Sequence, residues 1–205
     1  MSNKRPISLA LALLALLPAA ASVPLPAGAV QGQYPERPRN SCNIGGWSVD
    51  PDPAGQNVRA GPSVQARVVG RLAPYAALRG GPVGPYGSTF AIIAASNGWF
   101  YIDTVSNPVI RGGRVDYVTS PVRGWINSRF IQFTILSEVG FAEPSTRARQ
   151  VWTGDPRPAV ARLIDCRGEW ARVRLQHGGR NAEPWFRGIC GAPDFCEGVM
   201  GDRRR

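Results

Sequence analysis

An octapeptide occurs twice in the chain: Ala60-Gly61-Pro62-Ser63-Val64-Gln65-Ala66-Arg67 returns as Ala142-Glu143-Pro144-Ser145-Thr146-Arg147-Ala148-Arg149. Both copies read A-x-P-S-x-x-A-R, and every position is displaced by the same 82 residues (60 to 142, 67 to 149). The sequence downstream keeps a common order. Val68-Val69-Gly70-Arg71-Leu72, Gly98-Trp99 and Gly124-Trp125 follow the first copy; Val160-Ala161-Arg162-Leu163, Glu169-Trp170 and Pro184-Trp185 follow the second. Chance produces an isolated octapeptide match more readily than a match with an ordered Trp pair behind it. A repeat of this kind means one supersecondary unit built twice.

The unit is a β unit. Short apolar runs such as Ala91-Ile92-Ile93-Ala94, Trp99-Phe100-Tyr101-Ile102, Trp125-Ile126 and Phe130-Ile131-Gln132-Phe133 are bounded by Gly, Pro, Asn and Asp. In Trp170-Ala171-Arg172-Val173-Arg174-Leu175 the alternation has period two, so Ala171, Val173 and Leu175 share the face opposite Trp170, Arg172 and Arg174. The 24 glycines and 19 prolines oppose long helices in the body of the chain. Proline in the repeated turn presets φ and offers no N–H, which suits the end of a strand pairing. Gly61 invites a positive φ, but Glu143 holds the matching place; either the position does not need one or the two turns differ. Each Trp is expected to supply a large share of a small core.

The N-terminus reads as an export signal. Lys4 and Arg5 precede the apolar run Ile7 to Leu17, Pro18 breaks it, and small residues follow. The run is about half a membrane span. Cleavage is expected after Ala21, or as late as Ala29, leaving roughly 175 to 185 residues, room for one medium domain or two small ones. No cysteine closely follows the run, so neither a lipid anchor nor another membrane anchor is expected. Residues 22–41, rich in Pro, Gly, Gln and Arg, read as a flexible spacer. Four cysteines in an exported chain, Cys42, Cys166, Cys190 and Cys196, point to disulfides. Cys190 and Cys196 are near enough to close a short loop, leaving Cys42 for Cys166; alternatively Cys166 pairs into the C-terminal segment. Lys4 is the only lysine, so the charge of +10 falls by two when Lys4 and Arg5 are removed, and the rest is arginine. Arginine favours bidentate contact with carboxylate or phosphate. For an exported protein an anionic envelope polymer is a better partner than nucleic acid.

Asn57-Val58-Arg59-Ala60-Gly61-Pro62-Ser63, with Val68-Val69-Gly70-Arg71-Leu72 behind it, resembles the opening of bacterial SH3 (SH3b) domains; Gly98-Trp99 and Gly124-Trp125-Ile126 resemble their later strands. The match spans 44–133, interrupted by an insertion from Asp103 to Arg123 between the Trp strands. A degenerate match spans 137–197, with Val139-Gly140-Phe141 in place of Asn-Val-Arg and Pro184 in place of a glycine; residues 198–205 form a basic tail. The whole resembles exported tandem SH3-domain proteins of proteobacteria. The resemblance implies an all-β chain of two tandem SH3-like small barrels that bind without catalysing, in many bacterial proteins by holding peptidoglycan or a cell-wall peptide.

A catalytic set is missing from the pattern. His177, the one histidine, lies in the turn-like Leu175-Gln176-His177-Gly178-Gly179 without a nucleophile elbow, and the cysteines are committed to disulfides. Asp50 and Asp52 are a close carboxylate pair, but in a Pro-rich turn where a structural role fits better than glycan hydrolysis. Neither enzyme activity, a cofactor nor a metal is expected, since Cys-x5-Cys with one distant histidine is poor zinc spacing. Binding falls to aromatics and arginines of the first repeat: Arg59, Arg79, Tyr86, Tyr101, Arg111 and Tyr117 are the candidate residues, with Trp47, Tyr75, Phe90 and Arg114 nearby. Trp99, Trp125, Trp170 and Trp185 are assigned to the core. The expected function is recognition of a cell-wall polymer or envelope peptide by a periplasmic or secreted protein. The alternative is a disulfide-stapled structural or protein-interaction subunit of the envelope. The oligomeric state has no signature in the sequence.

Overall fold

A computed structural model describes residues 35, 41–77, 85–156, 160–177 and 179–192. The expected signal peptide, Arg79, Cys196 and the basic tail lie outside these residues. The described chain is all-β, and its strand pairs are antiparallel. The first copy contributes β1 (Ile44–Ser48), β2 (Asn57–Arg59), β3 (Val68–Arg71), β4 (Ala76–Ala77), β5 (Pro85–Tyr86), β6 (Thr89–Ser96), β7 (Trp99–Arg111), β8 (Arg114–Ser120), β9 (Gly124–Asn127) and β10 (Ile131–Gln132). The second contributes β11 (Thr134–Ile135), β12 (Val139–Phe141), β13 (Gln150–Thr153), β14 (Val160–Arg167), β15 (Trp170–His177), β16 (Arg180–Ala182), β17 (Trp185–Arg187) and β18 (Ile189–Cys190). Among the described residues the one helical element is a single 3-10 turn, Ser128–Phe130, and no helix is long and apolar enough to cross a membrane.

The repeat is structural down to single hydrogen bonds. Ala60 N donates to Arg67 O (2.8 Å), and Ala142 N to Arg149 O (2.9 Å). Gln65 N donates to Ser63 Oγ and Arg147 N to Ser145 Oγ, both at 3.2 Å. The repeated serine is thus a side-chain cap on its own turn. Gly61 does not have a positive φ, which is why Glu143 can replace it in an equivalent turn. The strands around the turn match as well: β2 pairs with β3, and β12 with β13. The sheets run β3-β2-β9-β7-β6-β1-β10 and β13-β12-β17-β15-β14, the same order through five strands. Arg59 lies opposite Trp125, as Phe141 lies opposite Trp185. Neither sheet closes on itself by hydrogen bonds among the described residues.

Alternation predicts the faces of β15 correctly: Ala171, Val173 and Leu175 have no exposed surface. For the Trp residues the outcome is mixed. Trp99 and Trp185 are buried, whereas Trp125 and Trp170 are half-buried. Their neighbours Phe100 and Phe186 are fully enclosed on the opposite face. Period two forces this choice, because adjacent residues cannot face the same side of a strand. The insertion Asp103 to Arg123 is mostly strand: it prolongs β7 and returns as β8, closed by a two-residue Gly112-Gly113 turn. Both glycines have positive φ (57° and 75°), as a hairpin of this length requires.

The two copies share one core. Val58, Phe100 and Ile126 of the first belong to the same buried cluster as Leu163, Val173 and Phe186 of the second. A Cys42–Cys166 disulfide crosses between them, with 124 residues of sequence separation. Asn43 N donates to Gly168 O (2.6 Å) and Gly168 N to Ser41 O (2.7 Å), so the segment before β1 is laced to the β14–β15 turn. Cys190 is also disulfide-bonded. Pro35 and Ser41, both within the expected spacer, are held as well. Pro35 O accepts a hydrogen bond from Tyr101 Oη at 3.1 Å, and Ser41 N donates to Ile93 O at 2.9 Å.

Candidate functional site

Of the six residues expected to bind, Arg79 lies outside the described residues, and the other five are not gathered into one place. Tyr101 is a core residue, with no exposed surface and its ring edge-on to Trp125 at 5.6 Å. It faces away from Phe100 on the second apolar side of β7, and on that side Ile93 and Ala94 also lie buried. The apolar run Trp99 to Ile102 hides this, because both faces read as core. Trp47 and Phe90 are buried too. Arg111 sits at the far end of the β7–β8 hairpin, 68% exposed, 3.5 Å from Asp116. Tyr117 is half-buried on β8 opposite Pro108, and Tyr86 is half-buried on β5 opposite Ala76. His177 ends β15, paired in register with Arg180.

Arg59 is the exception. It lines a groove of about 290 Å³ whose other walls are Asp50, Gln56, Asn57, Val64, Trp99, Asn127, Arg129 and Phe130. Each wall has a structural cause. β2 brings Asn57 and Arg59, and the repeated turn adds the exposed Val64. The turn Asn97-Gly98 (φ 49° and 77°) starts β7 at Trp99. Asn127 caps the 3-10 turn by accepting from Arg129 N at 3.0 Å, which sets Arg129 and Phe130 on the rim. Arg129 lies over the Phe130 ring, 5.3 Å from its centroid.

The polar groups of the groove are arranged unequally. Asp50 is buried at 8% exposure, and among the described residues its Oδ1 accepts only from Asp52 N, at 3.0 Å. Gln56 is buried and satisfied, accepting from Ser48 Oγ at 2.8 Å and donating to Asn127 O at 3.4 Å. Arg59 donates to Ala66 O at 2.8 Å, which props the guanidinium against the repeated turn. Asn57 Oδ1 is buried without a hydrogen-bond partner among the described residues.

The second copy shows what the strands themselves require. In the common register Val139 replaces Asn57, Phe141 replaces Arg59 and Thr146 replaces Val64. Phe141 packs edge-on against Trp170 at 5.6 Å, so an aromatic pair stands where the first copy has Arg59 and Trp99. The β2 scaffold therefore needs neither Asn57 nor Arg59 for its pairing. Of the groove residues, Asn57, Val64 and Trp99 carried only structural meaning in the sequence, and Asp50 read as a turn residue. The available signal was the exchange of Asn-Val-Arg for Val-Gly-Phe between copies. No family model matches the chain, and no match appears among curated proteins or solved structures.

Proposed function

We propose that the protein is an exported, non-catalytic binding protein of two SH3-like repeats, the first of which recognises a cell-wall polymer or envelope peptide. The observation that carries this reading is the asymmetry between copies: one strand register holds a polar groove in the first and a packed Phe141–Trp170 pair in the second. A buried, unpartnered amide oxygen costs about 1–3 kcal/mol, and Val139 shows that a strand of this register forms without it. A polar residue at a groove, where the other copy shows that the strand does not require it, supports a binding role for that groove. The reading of each repeat as SH3-like is supported by the common five-strand order and the repeated turn. Export is supported by the apolar N-terminal run together with the disulfide.

The test is sedimentation of the purified exported protein with insoluble peptidoglycan. The wild type should pellet at low salt, and Arg59→Phe with Asn57→Val, which copies the second repeat into the first, should lower the bound fraction at least tenfold. Full recovery of the wild type in the supernatant overturns the proposal. The same double variant is expected to gain about 1 kcal/mol in urea denaturation, since it removes an unsatisfied buried group. A second reading, a structural or interaction subunit, draws on the shared core and the cross-copy disulfide. It predicts a protein partner captured by crosslinking in cells, whatever residues line the groove.

A further inference from the structure

The groove has a definite chemical preference, and we propose that it takes a protonated amine: the free ammonium group of a peptide, at its amino terminus or on a side chain. This rests on the groove being the binding site. Asp50 is more than nine-tenths buried and lines it, and among the described residues no cation pairs with its carboxylate. Arg59 and Arg129 line the same groove, yet neither forms an ion pair with Asp50. A buried carboxylate without a counter-charge is unfavourable, and a cation entering beside it removes that penalty. Asn57 lines the same groove, and its Oδ1, enclosed behind the groove wall, has no hydrogen-bond partner among the described residues. Trp99, largely buried, offers an aromatic wall of the kind that attracts cations. An ammonium group carries three donors and no acceptor, which suits a carboxylate whose one side-chain hydrogen bond among the described residues comes from Asp52 N.

The rest of the groove limits what the amine is attached to. Arg129 is exposed on the rim and is the group to meet a carboxylate on the same ligand. Arg59 is partly engaged with Ala66 O and serves as a wall. The ligand class is therefore a short peptide with a free ammonium directed inward and a carboxylate or carbonyl directed outward. The second copy lacks both Asn57 and Arg59 equivalents, so one ligand binds per chain.

The experiment is a titration of the purified exported protein followed by the Trp indole N–H signals in NMR. Four probes are used: glycylglycine amide for a terminal ammonium, Nα-acetyl-lysine methylamide for a side-chain ammonium, and the fully acetylated form of each. At least one ammonium probe should shift the Trp99 signal saturably, with its acetylated form at least tenfold weaker. The stronger of the two ammonium probes identifies the source. Asp50→Asn keeps the oxygen that accepts from Asp52 N but removes the charge, and should weaken the ammonium probe at least tenfold. Asn57→Val, whose side chain the second copy already accommodates, should weaken it several-fold and guards against a folding defect in the first variant. Equal binding of acetylated and free amines, undiminished binding by both variants, or no saturable shift with any probe overturns the inference. Sedimentation with peptidoglycan separates the two levels. If the protein still pellets, and the Arg59→Phe/Asn57→Val variant does not, while amines leave Trp99 unmoved, the amine inference fails and the binding site stands. If the protein does not pellet, the function proposal fails, and the titration still decides the amine.

Discussion

Replacing Cys42 and Cys166 together by alanine lowers the stability of the folded protein by about 3–5 kcal/mol. The expectation follows from the length of chain the bond encloses. The two cysteines are 124 residues apart, and closing so long a loop removes a large part of the entropy of the unfolded chain. The native geometry adds to it. Both cysteines are almost fully buried in the cluster shared by the two copies, so their loss also opens space there. Some of the junction survives, because the Asn43–Gly168 and Gly168–Ser41 backbone hydrogen bonds do not depend on sulfur. The variant should therefore remain folded at low temperature, with a midpoint lower by roughly 6–20 °C for a protein of this size. Urea denaturation of the double variant against the wild type measures it. Reductant is a poorer probe, because Cys190 is disulfide-bonded too and both effects would be mixed. A loss below about 1 kcal/mol would mean that the shared core and the β14–β15 lacing hold the copies together unaided.

That junction marks the boundary of what the sequence discloses. The repeat was legible because each position in it has a local reason. Proline and serine build the turn by contacts within eight residues, and the strands on either side inherit its register. The faces of β15 were legible because arginine alternates with alanine, valine and leucine. At β7 the same reasoning had nothing to work with. Trp99, Phe100, Tyr101 and Ile102 are apolar on both sides, so Tyr101 read as a binding residue although a second small cluster encloses it. The groove drew on three separate stretches, around Asp50–Val64, Trp99 and Asn127–Phe130. Their meeting depends on tertiary structure, and spacing along the chain does not encode it. Yet the difference between Asn-Val-Arg and Val-Gly-Phe was already visible. A difference between copies at a position the shared strand does not dictate points to function more directly than the presence of aromatics and arginines does.

The merging of the copies into one core was the least legible feature, because it depends on two glycines that look ordinary in the sequence. Gly45 on β1 and Gly191 just after β18 meet backbone to backbone. A Cβ added at Gly191 would lie 2.2 Å from Gly45 C and 2.3 Å from both Gly45 Cα and Gly46 N. None of these atoms belongs to a side chain, so no rotamer change relieves the contact. Both strands are also pinned. β1 is paired on its two sides with β6 and β10, and β18 is paired with β11. Gly191→Ala must therefore separate the copies at this point, and is expected to cost about 3 kcal/mol, the upper end of ordinary overpacking. Gly61→Ala is the matched control. Its φ is unexceptional, its nearest neighbour would be Ala66 Cβ at 3.5 Å, and the second copy carries Glu143 there. It should change stability by less than about 0.5 kcal/mol. Urea denaturation of both variants reads the difference. If Gly191→Ala is as mild as Gly61→Ala, the close docking of β18 on β1 is not what unites the copies, and their cohesion must be sought in the shared side chains and the Cys42–Cys166 bond.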